Sequence, residues 1–152
     1  MNYKFMFLGV MATVAVFLSQ PSQACTGITL TAKDSTRILA RTIEWGGSDL
    51  NSCYVVVPRG YTAQSYVPGG QDGMKFTAKY GYVGLSVEQK EFVAEGLNEK
   101  GLSAGLFYFP NYGQYEAYKA EWKSSSIADL QLVAWVLGNC QTVDEVMESL
   151  KE

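Results

Sequence analysis

A run of fourteen residues without a charge, Phe5 to Leu18, divides this chain before any question of folding arises. A membrane span needs about 20 apolar residues, so the run is too short to cross a bilayer. Lys4 precedes it, and SQPSQA follows with Ser22 and Ala24 as a small-x-small pair. A basic start, a short apolar core and a small-residue site describe a secretory signal peptide, cut after Ala24. The folding part then begins at Cys25 and spans residues 25–152, and loss of Lys4 takes the formal charge from −3 to −4. That length suits one modest domain. A junctional cysteine is also where a lipoprotein carries its acyl chains. Lipoprotein signals place Leu, Val or Ile three residues earlier, whereas SQAC has Ser22 there, and Cys25 leads straight into the strand-like TGITLT rather than a polar tether.

From Thr26 to Thr31 and from Arg37 to Trp45 the pattern predicts two strands, with KDST (Lys33 to Thr36) as the turn of a hairpin. Gly, Asp49, Asn51 and Ser52 mark a loop before a strand at Cys53 to Pro58, and Arg59 to Gly73 reads as a polar connection. Phe76 to Val87 predicts further strand. Glu91 to Leu97 and Gly101 to Phe109 flank Asn98, Glu99 and Lys100 as a second hairpin, which Pro110 ends. Tyr112, Tyr115, Tyr118 and Trp122 form an aromatic stripe near helical spacing, which packs in a core or borders an apolar ligand site. Ser126 with Asp129 and Thr142 with Glu145 then predict the starts of two helices, the first with Leu130, Val133, Ala134 and Leu137 on one face. Paired strands followed by two helices give an α+β chain, and a last helix with no further strands after it to cover the sheet suggests a fold interrupted halfway.

The chain has no histidine. This excludes Ser-His-Asp and Cys-His catalysis and every imidazole metal site. The group left with an ordinary pKa near neutrality is an α-amine, at roughly 7.7 to 8.0. The acidic balance argues against nucleic acid as a partner. Three cysteines, Cys25, Cys53 and Cys140, leave at least one thiol unpaired and contain no CxxC, so zinc and thioredoxin-like chemistry are not expected. Cys53 and Cys140 read as small core residues, with a disulfide between them left open. Cleavage at Cys25 would put a thiol and an amine on one carbon, so nucleophile and base arrive together for attack on an amide carbonyl. Arg41, on the paired strand, could favour the thiolate, and Glu44 could orient the ammonium.

CTGITLTAKDSTRILARTIEW, with Arg41 sixteen residues after Cys25 in an R-T-x-acid sequence, resembles the start of the choloylglycine hydrolase family of N-terminal-nucleophile hydrolases, which includes bile salt hydrolases and penicillin V acylases. EGLNEKGLSAGLFYFPNY resembles the family's second signature, and IADLQLVAWVLGN with TVDEVMESL resembles its helical continuation. The resemblance implies an αββα sandwich, of which this chain supplies the N-terminal half, and hydrolysis of linear, non-peptide amide C–N bonds without a cofactor or metal. It implies Cys25 as nucleophile and base, Arg41 beside it, and Glu44 where the family usually has Asp. Bile salt hydrolases have an oxyanion-hole asparagine after the AGL of the second signature. Here Phe107 or Tyr108 stands there, closer to the tyrosine of penicillin V acylases. The backbone N–H of Tyr108 is the expected oxyanion donor, and Phe107 is a substrate contact or a core residue.

Family members are roughly twice as long, and their second half supplies another oxyanion-hole asparagine and a distal arginine. The chain is therefore expected to be the N-terminal part of an exported, periplasmic or secreted acylase, weakly active or inactive alone. Its expected partner is a small N-acyl amide such as a conjugated bile salt or penicillin V. No stable membrane span remains after processing, and a homo-oligomer of the full-length enzyme stays open. The competing reading is a lipidated, noncatalytic surface protein anchored through Cys25.

Overall fold

The computed structural model describes residues 25–45, 47–109 and 112–151. The stretch read as a signal peptide lies outside the described residues. The described residues divide into two compact units, 25–45 and those from 47 onward.

The first unit is a β-hairpin, β1 (Gly27–Thr31) against β2 (Arg37–Arg41), in antiparallel register from Gly27↔Arg41 to Thr31↔Arg37. Period-two alternation puts Ile28, Leu30, Ile38 and Ala40 on one face. The turn closes as the KDST reading predicts. Ala32 N–H donates to Thr36 O at 2.8 Å, and the Asp34 carboxylate accepts the Thr36 amide at 3.0 Å. That bond holds the Asp34 pKa below its ordinary value. The second strand ends at Arg41 rather than running to Trp45.

The second unit is built on a four-stranded antiparallel sheet in the order β3-β6-β7-β8, where β3 is Cys53–Val57, β6 Tyr82–Val87, β7 Gln89–Asn98 and β8 Ser103–Gly105. A small hairpin, β4 (Thr62–Gln64) with β5 (Lys75–Thr77), occupies part of what the sequence presents as one polar connection and one long strand. Residues 78–81 separate β5 from β6, because Lys79 and Tyr80 turn their amides to Gly138 O at 2.7 and 3.0 Å instead of to a ladder. Helix α1 (Asp129–Asn139) packs on one face of the sheet, and α2 (Val143–Ser149) follows it.

The core is the contact between that sheet face and α1. Tyr82 and Val93 meet Val133, Ala134 and Leu137, with Val55, Val57, Ala104 and Leu106 around them. A second cluster joins Leu102 to Val136 and Cys140. Gly96 makes the close approach possible: a Cβ there would lie 2.6 Å from Leu137 Cδ1 and 2.6 Å from Val83 O. The opposite face of the sheet is also apolar, yet Tyr54 (90%), Val56 (77%), Val83 (52%) and Leu97 (47%) are exposed on it.

The two helix starts differ. Thr142 caps α2 as the T-x-x-E pattern predicts: its Oγ1 accepts the Glu145 amide at 3.2 Å, while the Glu145 carboxylate accepts the Gln141 amide at 2.8 Å. Ser126 does not cap α1. Its hydroxyl donates to Trp122 O at 2.8 Å, closing a short 3-10 helix (Ala120–Ser125), and Ala128 takes the cap position. The hydroxyl of buried Ser65, just after β4, accepts the Ala128 amide at 2.8 Å and donates to Gln131 Oε1 at 2.9 Å. Nor does the aromatic stripe form one helix. Residues 112–119 form no regular element, and Tyr115, Tyr118 and Trp122 border an open groove of about 450 Å³ with Tyr66 and Ile127.

Cys53 and Cys140 form no disulfide. Cys53 is exposed, with Sγ 3.1 Å from Ser86 Oγ, so the expectation of a core residue fails there, while Cys140 is buried against Leu102 and Val136. Burial pushes the Cys140 thiol pKa up. No helix among the described residues is long and apolar enough to cross a membrane.

Candidate active site

The hairpin explains why chemistry-bearing residues recur at the spacing seen in the sequence. Five ladder pairs and a short turn bring residue 41 back opposite residue 27, two positions after Cys25. Gly27 places no side chain across the ladder from Arg41. The pairing continues one residue beyond the strands: Thr42 N–H donates to Thr26 O at 2.9 Å, and Thr26 N–H donates to Thr42 Oγ1 at 3.2 Å. Thr26 is the residue bonded to Cys25. The half-buried Cys25 is therefore attached to a rung whose partner strand carries Arg41 immediately before it and Glu44 two residues after it.

Two further bonds converge on the same threonine. Thr42 Oγ1 donates to Glu44 Oε1 at 2.9 Å, and Arg41 Nε donates to Thr42 O at 3.3 Å. Cys25, Arg41 and Glu44 thus lie on one hairpin, with Thr42 hydrogen-bonded to both charged residues and to the neighbour of the thiol. Sequence reasoning passed over Thr42. Its signal was period two, since a residue two before Glu44 on an extended segment shares its side.

Phe107 and Tyr108 lie in the second unit, just after β8, where Leu106 N–H donates to Ala94 O at 2.8 Å and carries the ladder one residue further. Phe107 is half-buried and Tyr108 exposed. Before them, the polar residues of the GLNEKGL block are engaged in bracing. The buried Asn98 Nδ2 donates to Leu137 O at 2.9 Å and Cys140 O at 2.7 Å, while its Oδ1 accepts the amides of Lys100 and Leu102, both at 3.0 Å. Glu99 binds the Arg59 guanidinium through both oxygens at 2.6 Å and accepts the Gly81 amide at 2.9 Å. Arg59 and then that amide pull its pKa down to about 2.

A family model of linear amide C–N hydrolases, the choloylglycine hydrolase family, matches residues 25–152. The chain is 30% identical over 129 residues to a bile salt hydrolase/transferase of Clostridium perfringens, covering 84% of this chain and 37% of that protein. It is 28% identical over 127 residues to the bile salt hydrolase/transferase of Bifidobacterium longum, covering 84% and 39%. It is 28% identical over 119 residues to the penicillin V acylase of Pectobacterium atrosepticum, covering 76% and 31%. The chain therefore spans between about a third and two fifths of the length of these relatives. Because the family match takes in Cys25, the whole hairpin, the braced GLNEKGL turn and both helices, the chain belongs to the choloylglycine hydrolase family, hydrolases of linear amide C–N bonds.

Proposed function

We propose that this chain is the N-terminal part of an exported cysteine acylase, periplasmic or secreted, that cleaves N-acyl amides after removal of residues 1–24 makes Cys25 the first residue. The α-amine of Cys25 takes the thiol proton, directly or through a water, and the thiolate attacks the amide carbonyl carbon. Arg41 favours the thiolate, Glu44 orients the ammonium, and the oxyanion is assigned to the backbone N–H of Tyr108. The C–N bond then breaks as the ammonium returns its proton to the leaving amine. Water hydrolyses the thioester, releasing the acid and restoring the thiol. The observation that carries this reading is the rung between Thr26 and Thr42, which ties the Cys25 end of β1 to the segment holding Arg41 and Glu44.

The substrate class is a linear amide with a large apolar acyl group. The relatives' names point to conjugated bile salts and penicillin V, and aromatic Phe107 and Tyr108 after the AGL lean toward the latter. The fold proposed for the whole protein is the αββα sandwich. Its support is the exposed apolar face of the β3-β6-β7-β8 sheet, since a sheet apolar on both faces needs a layer on each.

Intact-mass measurement of the exported protein tests the start of the mechanism: a mass beginning at unmodified Cys25 is expected, and a diacylglyceryl adduct would replace the enzyme with a lipid-anchored protein. On the whole protein, hydrolysis of glycine- and taurine-conjugated bile acids and of penicillin V is expected to vanish, or nearly so, in Cys25→Ser. Turnover retained by that variant refutes the nucleophile.

A further inference from the structure

Thr42 engages every polar group it has. Its amide donates to Thr26 O at 2.9 Å, its carbonyl accepts Arg41 Nε at 3.3 Å, and its hydroxyl accepts the Thr26 amide at 3.2 Å while donating to Glu44 Oε1 at 2.9 Å. A hydroxyl has one proton to give and lone pairs to receive, so this single side chain links the backbone next to Cys25 to the Glu44 carboxylate. The sequence leaves Glu44 one methylene longer than the aspartate expected at its place. A longer, exposed side chain samples more rotamers, and an unheld carboxylate would spend little time at any one of them. The bond from Thr42 selects one.

The geometry points to Thr42 as a positioning residue that holds Glu44 and the start of β1 in fixed relation, so that the carboxylate stabilises the Cys25 ammonium and with it the thiolate–ammonium pair. This rests on the reading of Cys25 as nucleophile and base. A valine at 42 keeps the β-branched shape suited to an extended segment but can neither accept the Thr26 amide nor donate to Glu44. A serine keeps both bonds.

The test uses the whole protein with Cys25 as its first residue, alkylated with iodoacetamide at pH 7 and followed by peptide mass, with exposed Cys53 as the reference thiol in the same molecule. Cys25 is expected to react faster than Cys53 by about 10-fold or more, because the thiolate is the reacting form. Thr42→Val is expected to slow Cys25 by about 10-fold, as thiolate fraction is lost, and to leave Cys53 unchanged. Thr42→Ser is expected to stay within about twofold of the parent. If Thr42 acts through Glu44, the Thr42→Val, Glu44→Gln double variant is no slower than the slower single variant. A Thr42→Val protein that reacts like the parent, a Thr42→Ser protein as slow as Thr42→Val, or two effects that simply multiply would each overturn the assignment. Should Cys25 of the parent react no faster than Cys53, the nucleophile reading beneath it fails instead.

Discussion

Asn98 uses both amide protons and accepts two bonds through its carbonyl oxygen, all inside the protein. A buried group of this kind is worth more as a set of bonds than as a volume, because its removal leaves partners that water cannot reach. Asn98→Ala is expected to cost about 2–4 kcal/mol in urea unfolding, and Asn98→Asp to be as damaging, since a carboxylate cannot donate to Leu137 O and Cys140 O. An aspartate variant as stable as the parent would show that the two carbonyl bonds contribute nothing. Glu99 gives a pH-dependent counterpart. Its carboxyl is at about 2 in the folded protein against an ordinary 4.5, so its stabilisation is complete above 4.5 and is lost as pH falls toward 2. Glu99→Gln is expected to flatten the fall in melting temperature over that window, more visibly at low salt because the Arg59 partner is exposed. The sequence shows these two residues only as the polar tip of a hairpin. Asn98 finds its acceptors 39 and 42 residues further on, and Glu99 its arginine 40 residues back, distances over which no local pattern carries information.

Among the elements, those governed by short-range chemistry were legible. The KDST turn, the strands at 27–31 and 53–57, the T-x-x-E start of α2 and the apolar face of α1 follow from neighbours within four residues. Where a distant segment supplies a partner, local reading failed. Ser126 has the right type and spacing for a cap, but Ser65 reaches the helix start from 63 residues earlier and leaves Ser126 to close the preceding turn. Ser65→Ala is accordingly expected to lower stability by about 1–3 kcal/mol by orphaning the Ala128 amide, whereas Ser126→Ala changes it by about 0.5 kcal/mol or less. Equal losses in the two variants, measured by urea unfolding, would contradict this capping scheme. The tyrosines from 112 to 118 match helical spacing without forming a helix: Tyr112 and Tyr115 are largely exposed, so little burial rewards the helical arrangement. Cys25, Arg41 and Glu44 stand out in the sequence by type and spacing, whereas Thr42 does not, because what distinguishes it is the set of bonds that joins Thr26, Arg41 and Glu44.

At the scale of the whole molecule, the four-stranded sheet has one face closed by α1 and one apolar face exposed among the described residues. A second layer over that face, as the sandwich requires, would make Val83 a core position in the whole protein. Val83→Lys is then expected to destabilise the whole protein by about 3 kcal/mol or more in thermal unfolding, against about 0.5 kcal/mol or less for a true surface site. A change no larger than the surface value would argue against the second layer. The Asn98 brace has a consequence for the order in which this unit assembles. The β7–β8 turn borrows its final hydrogen bonds from a side chain that is itself anchored on the far end of α1, so neither the turn nor the helix end is complete before the other. In native-state hydrogen exchange the amides of Lys100 and Leu102 should therefore open together with that of Cys140, as one cooperative unit joining a hairpin to a helix well separated from it along the chain.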